Sequence, residues 1–142
     1  MHTLSNNPFS KSLKFHHIGI ACENLDEEMG YLSFFGYRQE GEEFIDPVQG
    51  IKGRFLTSKN QPRMEILINY ADKGTLNPWL KKGIKMYHIC YRTSNFNLAI
   101  KELEKIGARI IVQPVKAIAF DNAEITFLML PNKLFIELIN AI

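Results

Sequence analysis

The sequence predicts an α+β protein built from two tandem βαβββ modules, whose strands form one curved mixed sheet with the helices outside. Three observations lead to this prediction. Two similar strands, "HIGIAC" from His17 and "HICYRT" from His88, begin 71 residues apart. Each strand is followed by a segment with helical periodicity that ends at a glycine. Each module then closes on a strand that carries a single glutamate among aliphatic residues.

The first half of each module reads as a strand, a polar loop and an amphipathic helix. Asn24 and Asn95 stand where a helix N-cap is expected, and Gly36 and Gly107 suit the left-handed residue that ends a helix. The apolar residues that recur at helical spacing are Leu25, Met29, Leu32 and Phe35 in the first module and Phe96, Ile100, Leu103 and Ile106 in the second.

The second half of each module reads as three strands. The stretches "RFLTSKNQPRMEILIN" and "TFLMLPNKLFIELINA" align at an offset of 72 residues, which places Glu65 on Glu137. Each stretch is a hairpin of two strands around a turn rich in Asn and Pro. The predicted turns lie at 60–62 and 131–133, and the additional strands lie near 38–45 and 109–114.

We expect a single domain over residues 14–142. Module one covers 14–70, a linker covers 71–85, and module two covers 86–142. The polar beginning of the chain predicts a flexible arm over residues 1–13 and lacks the apolar run of a signal peptide. No apolar run approaches the roughly 18 residues that would span a bilayer.

Composition and charge exclude several classes of function. The chain has 142 residues, 46% of them hydrophobic, and a net charge of +2, which predicts neither a nucleic-acid partner nor a membrane partner. The two cysteines, Cys22 and Cys90, form no C-x-x-C motif, so we expect a cytoplasmic protein with reduced thiols. Serine-hydrolase, dinucleotide-binding and P-loop motifs are absent from the sequence.

Side-chain alternation groups four unusual residues on one face of the predicted sheet. In a strand, successive side chains point to opposite faces. The aliphatic neighbours of His17, Glu65, His88 and Glu137 pack beneath the helices, so these four point to the concave side. The same alternation places His16 on the helix side or at the rim, so we expect it not to be a metal ligand.

Two imidazoles and two carboxylates on one face form a coherent set of metal ligands. A carboxylate among aliphatic side chains is costly unless it is paired or coordinated. This donor set suits a divalent transition metal such as Zn, Ni, Co, Mn or Fe. Four protein ligands around an octahedral ion leave two positions for water or substrate. The sequence therefore predicts a metal cavity inside the curved sheet, although single strand histidines and glutamates commonly have no such role.

The remainder of the pocket is expected to be partly apolar. Cys90 should lie beside it as an unreactive thiol. Ordinary core packing is the alternative for each aromatic, and solvation is the alternative for each cation. The candidate lining residues are Phe15, Phe55, Trp79, Phe127 and Met129, and the candidate contacts for an anionic substrate are Arg54 and Lys116.

Paired βαβββ modules with a histidine in the first strand and a glutamate in the last strand of each resemble the vicinal oxygen chelate superfamily. That superfamily includes glyoxalase I, methylmalonyl-CoA epimerase, extradiol dioxygenases and metal-free antibiotic-binding resistance proteins. The resemblance covers nearly all of residues 15–142 and implies the metal ligands His17, Glu65, His88 and Glu137. It also implies that Glu137 is the first candidate for the catalytic base, with Glu65 as the second, and that the chain forms a homodimer.

Two segments are most similar to the epimerases. "LNPWLKKGIKMYHICY" is similar to their linker into the second histidine strand, and "PVQGIKGRF" is similar to their Glu-(Gln/His)-Gly-Val segment. Val48 stands where the epimerases have a catalytic glutamate, and Leu130 to Asn132 stand where they have His-Pro-Lys. The metal set is complete, whereas these two features of the epimerase pattern are missing.

The resemblance implies an enzyme, a metal-dependent lyase or isomerase of glyoxalase or epimerase type. Such an enzyme would abstract a proton next to the metal-chelated carbonyl of a small-molecule substrate, which is a 2-oxo compound, a hemithioacetal or an acyl thioester. The alternative is a non-catalytic, resistance-type protein that binds a small molecule. An iron-dependent ring-cleaving dioxygenase fits less well, because it uses three protein ligands and this chain offers four.

Overall fold

The computed structural model describes residues 11–142, which form an eight-stranded mixed sheet with the two long helices on its convex side. The strands are β1 (Lys14–Ala21), β2 (Arg38–Asp46), β3 (Ile51–Thr57), β4 (Met64–Asn69), β5 (Met86–Thr93), β6 (Arg109–Ala117), β7 (Ala123–Met129) and β8 (Phe135–Asn140). The helices are α1 (Leu25–Ser33), α2 (Asn77–Leu80) and α3 (Phe96–Lys105). Residues 1–10 of the predicted arm lie outside the described residues.

The sheet confirms the predicted α+β architecture of two βαβββ modules. Its strand order is β2-β3-β4-β1-β5-β8-β7-β6, so that each module contributes four adjacent strands. Strand β1 pairs in parallel with β4, and β5 pairs in parallel with β8. The modules meet where β1 and β5 pair antiparallel. This junction places the first and last strands of both modules side by side at the centre of the sheet.

Helices α1 and α3 cover the convex face of the sheet. They pack against the aliphatic strand residues that side-chain alternation assigned to that face. Ile20 and Ile66 pack with Leu25 of α1, while Ile136 and Leu138 pack beneath α3. Burying these side chains stabilises each helix on its own module, because a short isolated helix is marginal in water.

One of the two predicted N-caps is confirmed. The Asn24 side chain accepts a hydrogen bond of 2.9 Å from the backbone N–H of Glu27. Asn95 holds the corresponding position before α3, but its side chain makes no capping hydrogen bond. Instead, the hydroxyl of Thr93 accepts a hydrogen bond of 3.0 Å from the backbone N–H of Asn95.

The helix α1 ends earlier than its apolar periodicity predicts. The last helical residue is Ser33, and Gly36 follows with a φ of 93°. This left-handed turn redirects the chain, so that Phe35 leaves the helix face and is 62% exposed. Gly107 has a φ of 99° after α3, and both glycines therefore have the predicted role.

The outer strands are longer than predicted. Strand β2 extends to Asp46, and β6 extends through Pro114 to Ala117. Proline is tolerated there because β6 is an edge strand with only β7 beside it, and the pairing shifts register between Val112 and Val115. The region predicted as a linker, 71–85, contains a short 3₁₀ turn and α2.

The curved sheet brings its two edges close together. The 3₁₀ turn Ile118–Phe120, which follows β6, packs against β2 at the opposite edge. The concave face is therefore closed around a cavity.

Among the described helices, none has the length and apolar character needed to cross a membrane.

Candidate metal centre

The four predicted site residues come together on the concave face. His17 lies on β1, Glu65 on β4, His88 on β5 and Glu137 on β8, which are the four central strands of the sheet. One nitrogen or oxygen atom from each residue lies within 4.8 Å of the others. We call these four residues the quartet. Each residue of the quartet is buried.

Strand register explains how the quartet is assembled. Across the β1–β5 junction, Gly19 is the partner of His88, and Cys90 is the partner of His17. Gly19 also pairs with Glu65 on β4, whereas Cys90 pairs with Glu137 on β8. Residues Gly19 and Cys90 thus occupy equivalent places, each between a histidine and a glutamate that come from different modules.

Distances within the quartet match those between ligands of a single ion. His17 Nε2 lies 3.0 Å from Glu65 Oε1, 3.3 Å from Glu137 Oε1 and 3.0 Å from His88 Nε2. His88 Nε2 lies 3.2 Å from Glu137 Oε1 and 3.5 Å from Glu65 Oε1. Metal–ligand bonds of about 2.0–2.2 Å separate neighbouring ligand atoms by roughly 3.0 Å in octahedral and roughly 3.5 Å in tetrahedral geometry.

The quartet attracts positive charge. Burial alone lowers the pKa of His17, but the charges and hydrogen bonds of Glu65 and Glu137 raise it to about 9. For His88 the same carboxylates outweigh burial, and the pKa is raised. A cation bound here would take the place of these protons, as metal binding in proteins generally does.

The carboxylates of the quartet are held ionised. Burial by itself raises the pKa of Glu137, but the close imidazoles of His17 and His88 lower it to about 2. Burial also raises the pKa of Glu65, but the nearby charge of His17, together with close contacts to both imidazoles, outweighs burial, and the pKa of Glu65 is lowered. Ionised carboxylates and imidazoles are ligands that divalent transition metals accept.

Two buried atoms of the quartet lack hydrogen-bond partners among the described residues. They are Oε1 of Glu137 and Nδ1 of His88. Glu137 Oε1 lies close to Nε2 of His17 and to Nε2 of His88, but these contacts do not have the direction of hydrogen bonds. An unsatisfied buried acceptor is expensive, and coordination to a cation would satisfy it. The residues present therefore fit a divalent metal ion.

Gly19 is required by the packing of His88. A Cβ atom on Gly19 would overlap the imidazole ring of His88, whose Nε2 would lie only 2.5 Å away. The ring therefore lies directly over the backbone of β1. Gly19 was not among the predicted site residues, although a glycine inside an apolar strand is a known sign of close approach by another group.

His16 does not lie on the helix side of the sheet, which is one of the two positions predicted for it. Instead of facing the helices, its Nδ1 lies 2.8 Å from Nδ1 of His17. The cause is a register shift in the pairing of β1 with β5 between Phe15 and His17, which interrupts the alternation of side chains. Burial and the neighbouring charge of His17 lower the pKa of His16 to about 4, so its imidazole is neutral.

Two phenylalanines enclose the paired histidines. The ring centroid of Phe120 lies 5.4 Å from that of His16 and 5.9 Å from that of His17. The ring of Phe55 is 5.3 Å from that of His17. Phe55 was predicted to line the pocket and instead packs against His17, whereas Phe120 was missed because it belongs to a turn that has no regular pattern.

A cavity of about 680 Å³ opens above the quartet. Glu65, His88 and Glu137 line it, and so do the predicted residues Trp79 and Phe127. Several apolar residues on β5, β6 and β8 also line the cavity and were not predicted to do so. These residues include Tyr87, Ile111, Val112, Val115 and Phe135.

Other predicted pocket residues lie elsewhere. Phe15 is 45% exposed and packs against the ring of Tyr91, and Met129 packs at the margin of the core. Arg54 is not available to a substrate, because it pairs with Asp26 at 2.8 Å and with Glu43 at 2.9 Å. Lys116 is not among the residues that line the cavity, and Lys73 is there instead; it was missed because an isolated surface lysine carries no sequence signal.

The cysteines do not form a reactive site. Cys90 is buried on β5 between His17 and Glu137, as expected for a residue beside the pocket. Burial raises its pKa well above the usual range, so that the thiol stays protonated. Cys22 is also buried, and burial raises its pKa to about 11. Reactive cysteines have lowered pKa values.

The fold and the quartet define a protein of the glyoxalase type. The family model of the glyoxalase/bleomycin resistance protein/dioxygenase superfamily matches residues 16–140. The chain belongs to this superfamily, and the resemblance to the vicinal oxygen chelate proteins is confirmed.

Among individual proteins, methylmalonyl-CoA epimerases are similar to this chain. The mitochondrial epimerase of Bos taurus is 24% identical over 105 residues, which cover 72% of this chain and 59% of the bovine protein. This chain thus spans less than two thirds of that relative.

Solved structures of epimerases share the fold. The epimerase of Mycobacterium tuberculosis superposes with a TM-score of 0.75 at 21% identity, over 97% of this chain and 92% of that chain. A variant epimerase of Streptomyces coelicolor in complex with 2-nitronate-propionyl-CoA gives a TM-score of 0.68 at 22% identity, over 90% and 97% of the two chains. At these identities the likeness shows the fold alone.

Proposed function

We propose that this protein is a metal-dependent lyase or isomerase that moves a proton at the carbon next to a carbonyl group. Its substrate is a small 2-oxo compound, a hemithioacetal or an acyl thioester with two neighbouring oxygen atoms. The observation that carries the proposal is the spacing of the quartet, with His17 Nε2 lying 3.0–3.3 Å from the other three ligand atoms. The site would be held by His17, Glu65, His88 and Glu137.

A divalent metal ion in this site would act as a Lewis acid, favouring the negative charge that develops on the carbonyl oxygen of the substrate. Zn, Ni, Co, Mn and Fe are all compatible with two imidazoles and two carboxylates. The cavity walls are mostly apolar, and displacing water from them on substrate binding would strengthen electrostatic interactions at the reacting carbon.

The carboxylates of the quartet supply the acid–base chemistry. Glu137 takes the proton as the C–H bond breaks, and the electron pair of that bond moves toward the carbonyl. The proton then returns to the same or to the neighbouring carbon, so that no oxidant or reductant is consumed. Glu65 is the second candidate base. Both carboxylates line the cavity and are held ionised, which is the state that a general base requires.

The relatives favour an epimerase-like reaction in general, but one position argues against the same substrate. Val48, which replaces the catalytic glutamate of the epimerases, is 61% exposed and lines the cavity. It has no group that exchanges protons, which leaves Glu65 as the second candidate base. This arrangement favours a reaction in which both proton transfers occur at the quartet.

Metal analysis and hydrogen exchange test the proposal together. We expect about one equivalent of metal in protein reconstituted with Ni, Co or Zn, and a large loss of metal in the His88→Ala and Glu137→Ala variants. Less than a tenth of an equivalent in the reconstituted wild-type protein would refute it. The metal-loaded protein should also exchange the hydrogen next to the carbonyl of a 2-oxo acid for solvent deuterium, as followed by NMR.

The same experiment distinguishes the alternative function. A protein that binds metal and ligand but exchanges no hydrogen with any of the three substrate classes is a binding protein of the same fold. The apolar cavity is compatible with that role, whereas two ionised carboxylates at its floor favour catalysis.

We also propose that the chain forms a homodimer. Tyr31, Phe34 and Phe35 at the end of α1 are exposed, as are apolar residues of the edge strand β6. Exposed apolar surface and free strand edges favour association between copies. Light scattering coupled to size-exclusion chromatography should give twice the monomer mass of 16.4 kDa.

A further inference from the structure

The cavity has a polar floor and apolar walls. Its floor is formed by the carboxylates and the imidazole that line it, Glu65, Glu137 and His88. Aromatic and aliphatic side chains provide most of the remaining lining. The aromatic residues are Trp79, Tyr87, Phe120, Phe127 and Phe135. A cavity of about 680 Å³ exceeds what two chelating oxygen atoms need, so the walls must contact another part of the ligand.

Three of the other polar residues that line the cavity, Lys73, Thr75 and Gln49, already make hydrogen bonds within the protein. Lys73 Nζ donates a hydrogen bond of 2.9 Å to the carbonyl oxygen of Val48. The Thr75 hydroxyl donates to the carbonyl oxygen of Gln49 at 2.7 Å, and the Gln49 side-chain amide donates to Asp46 at 2.9 Å. These bonds hold the rim of the cavity together and leave few donors for a ligand.

The scarcity of cationic side chains in the cavity lining disfavours a ligand that carries a second anionic group. Among the described lining residues, Lys73 is the only lysine or arginine, and it is exposed at the rim. A second carboxylate of the ligand would lose its hydration against the apolar walls without gaining a partner, because the chelating oxygen atoms occupy the open positions of the metal ion. An apolar group in the same place would gain from burial against the aromatic walls.

We infer that the substrate carries an aliphatic or aromatic body next to its chelating oxygen atoms, and that the site rejects ligands with a second carboxylate there. This inference rests on the proposed function, since the quartet must bind the oxygen atoms of the ligand. It narrows the substrate to an apolar 2-oxo compound or an apolar acyl derivative. Malonyl-type substrates, which carry a second carboxylate beside the reacting carbon, are disfavoured.

A pair of 2-oxo acids of similar size tests the inference directly. Trp79 is the only tryptophan in the sequence and lines the cavity, so its fluorescence reports ligand binding. We expect zinc-loaded protein to bind 4-methyl-2-oxopentanoate at least tenfold more tightly than 2-oxoglutarate. Equal dissociation constants, or tighter binding of 2-oxoglutarate, would overturn the inference.

A charge placed on the wall provides a second test. Val112 lines the cavity and is 37% exposed, so the Val112→Lys variant can fold with its ammonium group in water. We expect this variant to reduce the preference for 4-methyl-2-oxopentanoate at least fivefold. The matched control is Leu98→Lys on α3, which is 47% exposed and not among the lining residues, and which should leave the preference unchanged. An unchanged preference in Val112→Lys contradicts the inference.

Metal content, measured on the same samples, separates the two proposals. Protein that holds zinc but does not distinguish the two acids refutes the apolar substrate class and leaves the proposed function standing. Protein that holds no metal refutes the proposed function. In that case the cavity is tested with 4-methylpentanoate and glutarate, which lack the 2-oxo group. Tighter binding of 4-methylpentanoate supports the apolar class, and equal binding refutes it.

Discussion

The carboxylate of Asp46 accepts a hydrogen bond of 3.2 Å from the backbone N–H of Ile118, and this bond joins the two edges of the sheet. Asp46 ends β2 in the first module, and Ile118 begins the turn after β6 in the second. The same carboxylate accepts bonds from the backbone N–H groups of Val48 and Gln49, both at 3.1 Å. One buried side chain therefore holds both sides of the cavity rim.

Replacing Asp46 should open the rim. In the Asp46→Asn variant, an amide NH₂ faces groups that donate hydrogen bonds, and we expect a loss of roughly 1–3 kcal/mol in the free energy of unfolding. Denaturant unfolding measures this loss, and hydrogen exchange should rise at residues 47–50 and 117–121. The exposed Asp72, changed to Asn, is the control and should alter stability by less than about 0.5 kcal/mol. Equal exchange in both variants would disprove the role of Asp46.

Adding a methyl group at Gly19 should damage the quartet. In Gly19→Ala the new Cβ would displace the imidazole of His88, so we expect at least a tenfold loss of zinc affinity in a competition assay with a chelator. Gly30→Ala in α1 is the matched control. A Cβ there meets no atom within 4 Å, and alanine favours the helix by about 0.5–1 kcal/mol. Unchanged zinc affinity in Gly19→Ala would show that His88 does not bind metal in its observed position.

His16 should act as a positioning residue for His17. With the proton of the 2.8 Å bond on Nδ1 of His17, its Nε2 presents a free lone pair to a metal ion. Removing this partner in His16→Phe should weaken metal binding by roughly tenfold to a hundredfold, with little change in stability. The absorption spectrum of the cobalt-substituted protein should change as well.

The asparagine variant is the control for that experiment. Asn places an amide group near the position of Nδ1, so His16→Asn should recover part of the affinity that His16→Phe loses. If both variants bind cobalt as the wild type does and give its spectrum, His16 is merely a packing residue between Phe55 and Phe120.

Metal should stabilise the folded chain. At a free zinc concentration one hundred times the dissociation constant, binding adds about 2.7 kcal/mol to the free energy of unfolding. For a chain of this length, that corresponds to a rise in melting temperature of roughly 10 °C. Differential scanning calorimetry should show the rise in the wild type and in Cys22→Ala. His88→Ala should not show it; an equal rise in His88→Ala would place the metal outside the quartet.

The duplicated pattern was sufficient to predict the fold and the position of the quartet. Alternation along regular strands brought His17 and His88 to the concave face, because apolar periodicity records which side of a strand is buried. It failed at His16, where a register shift interrupts the alternation. Register depends on pairing with the neighbouring strand, and the neighbour is not visible in a local pattern.

The cavity walls were harder to predict than its floor. Phe120 lies in a 3₁₀ turn, and Asp46 looks like an ordinary residue at the end of a strand. Both become important only because the curved sheet brings its edges together, which depends on long-range geometry. Arg54 was predicted to contact an anionic substrate, but it forms ion pairs with Asp26 of α1 and Glu43 of β2. These partners are distant in the sequence, so the local pattern did not reveal them.

The arrangement of the quartet across the β1–β5 junction would make metal binding a property of the whole chain. Each module supplies one histidine and one glutamate, and neither half has more than two of the four ligands. An ion bound by all four residues would be coordinated by both modules and would therefore cross-link them. Cutting the chain between residues 71 and 85 would then yield two fragments whose association depends on the metal, and a chelator should separate them.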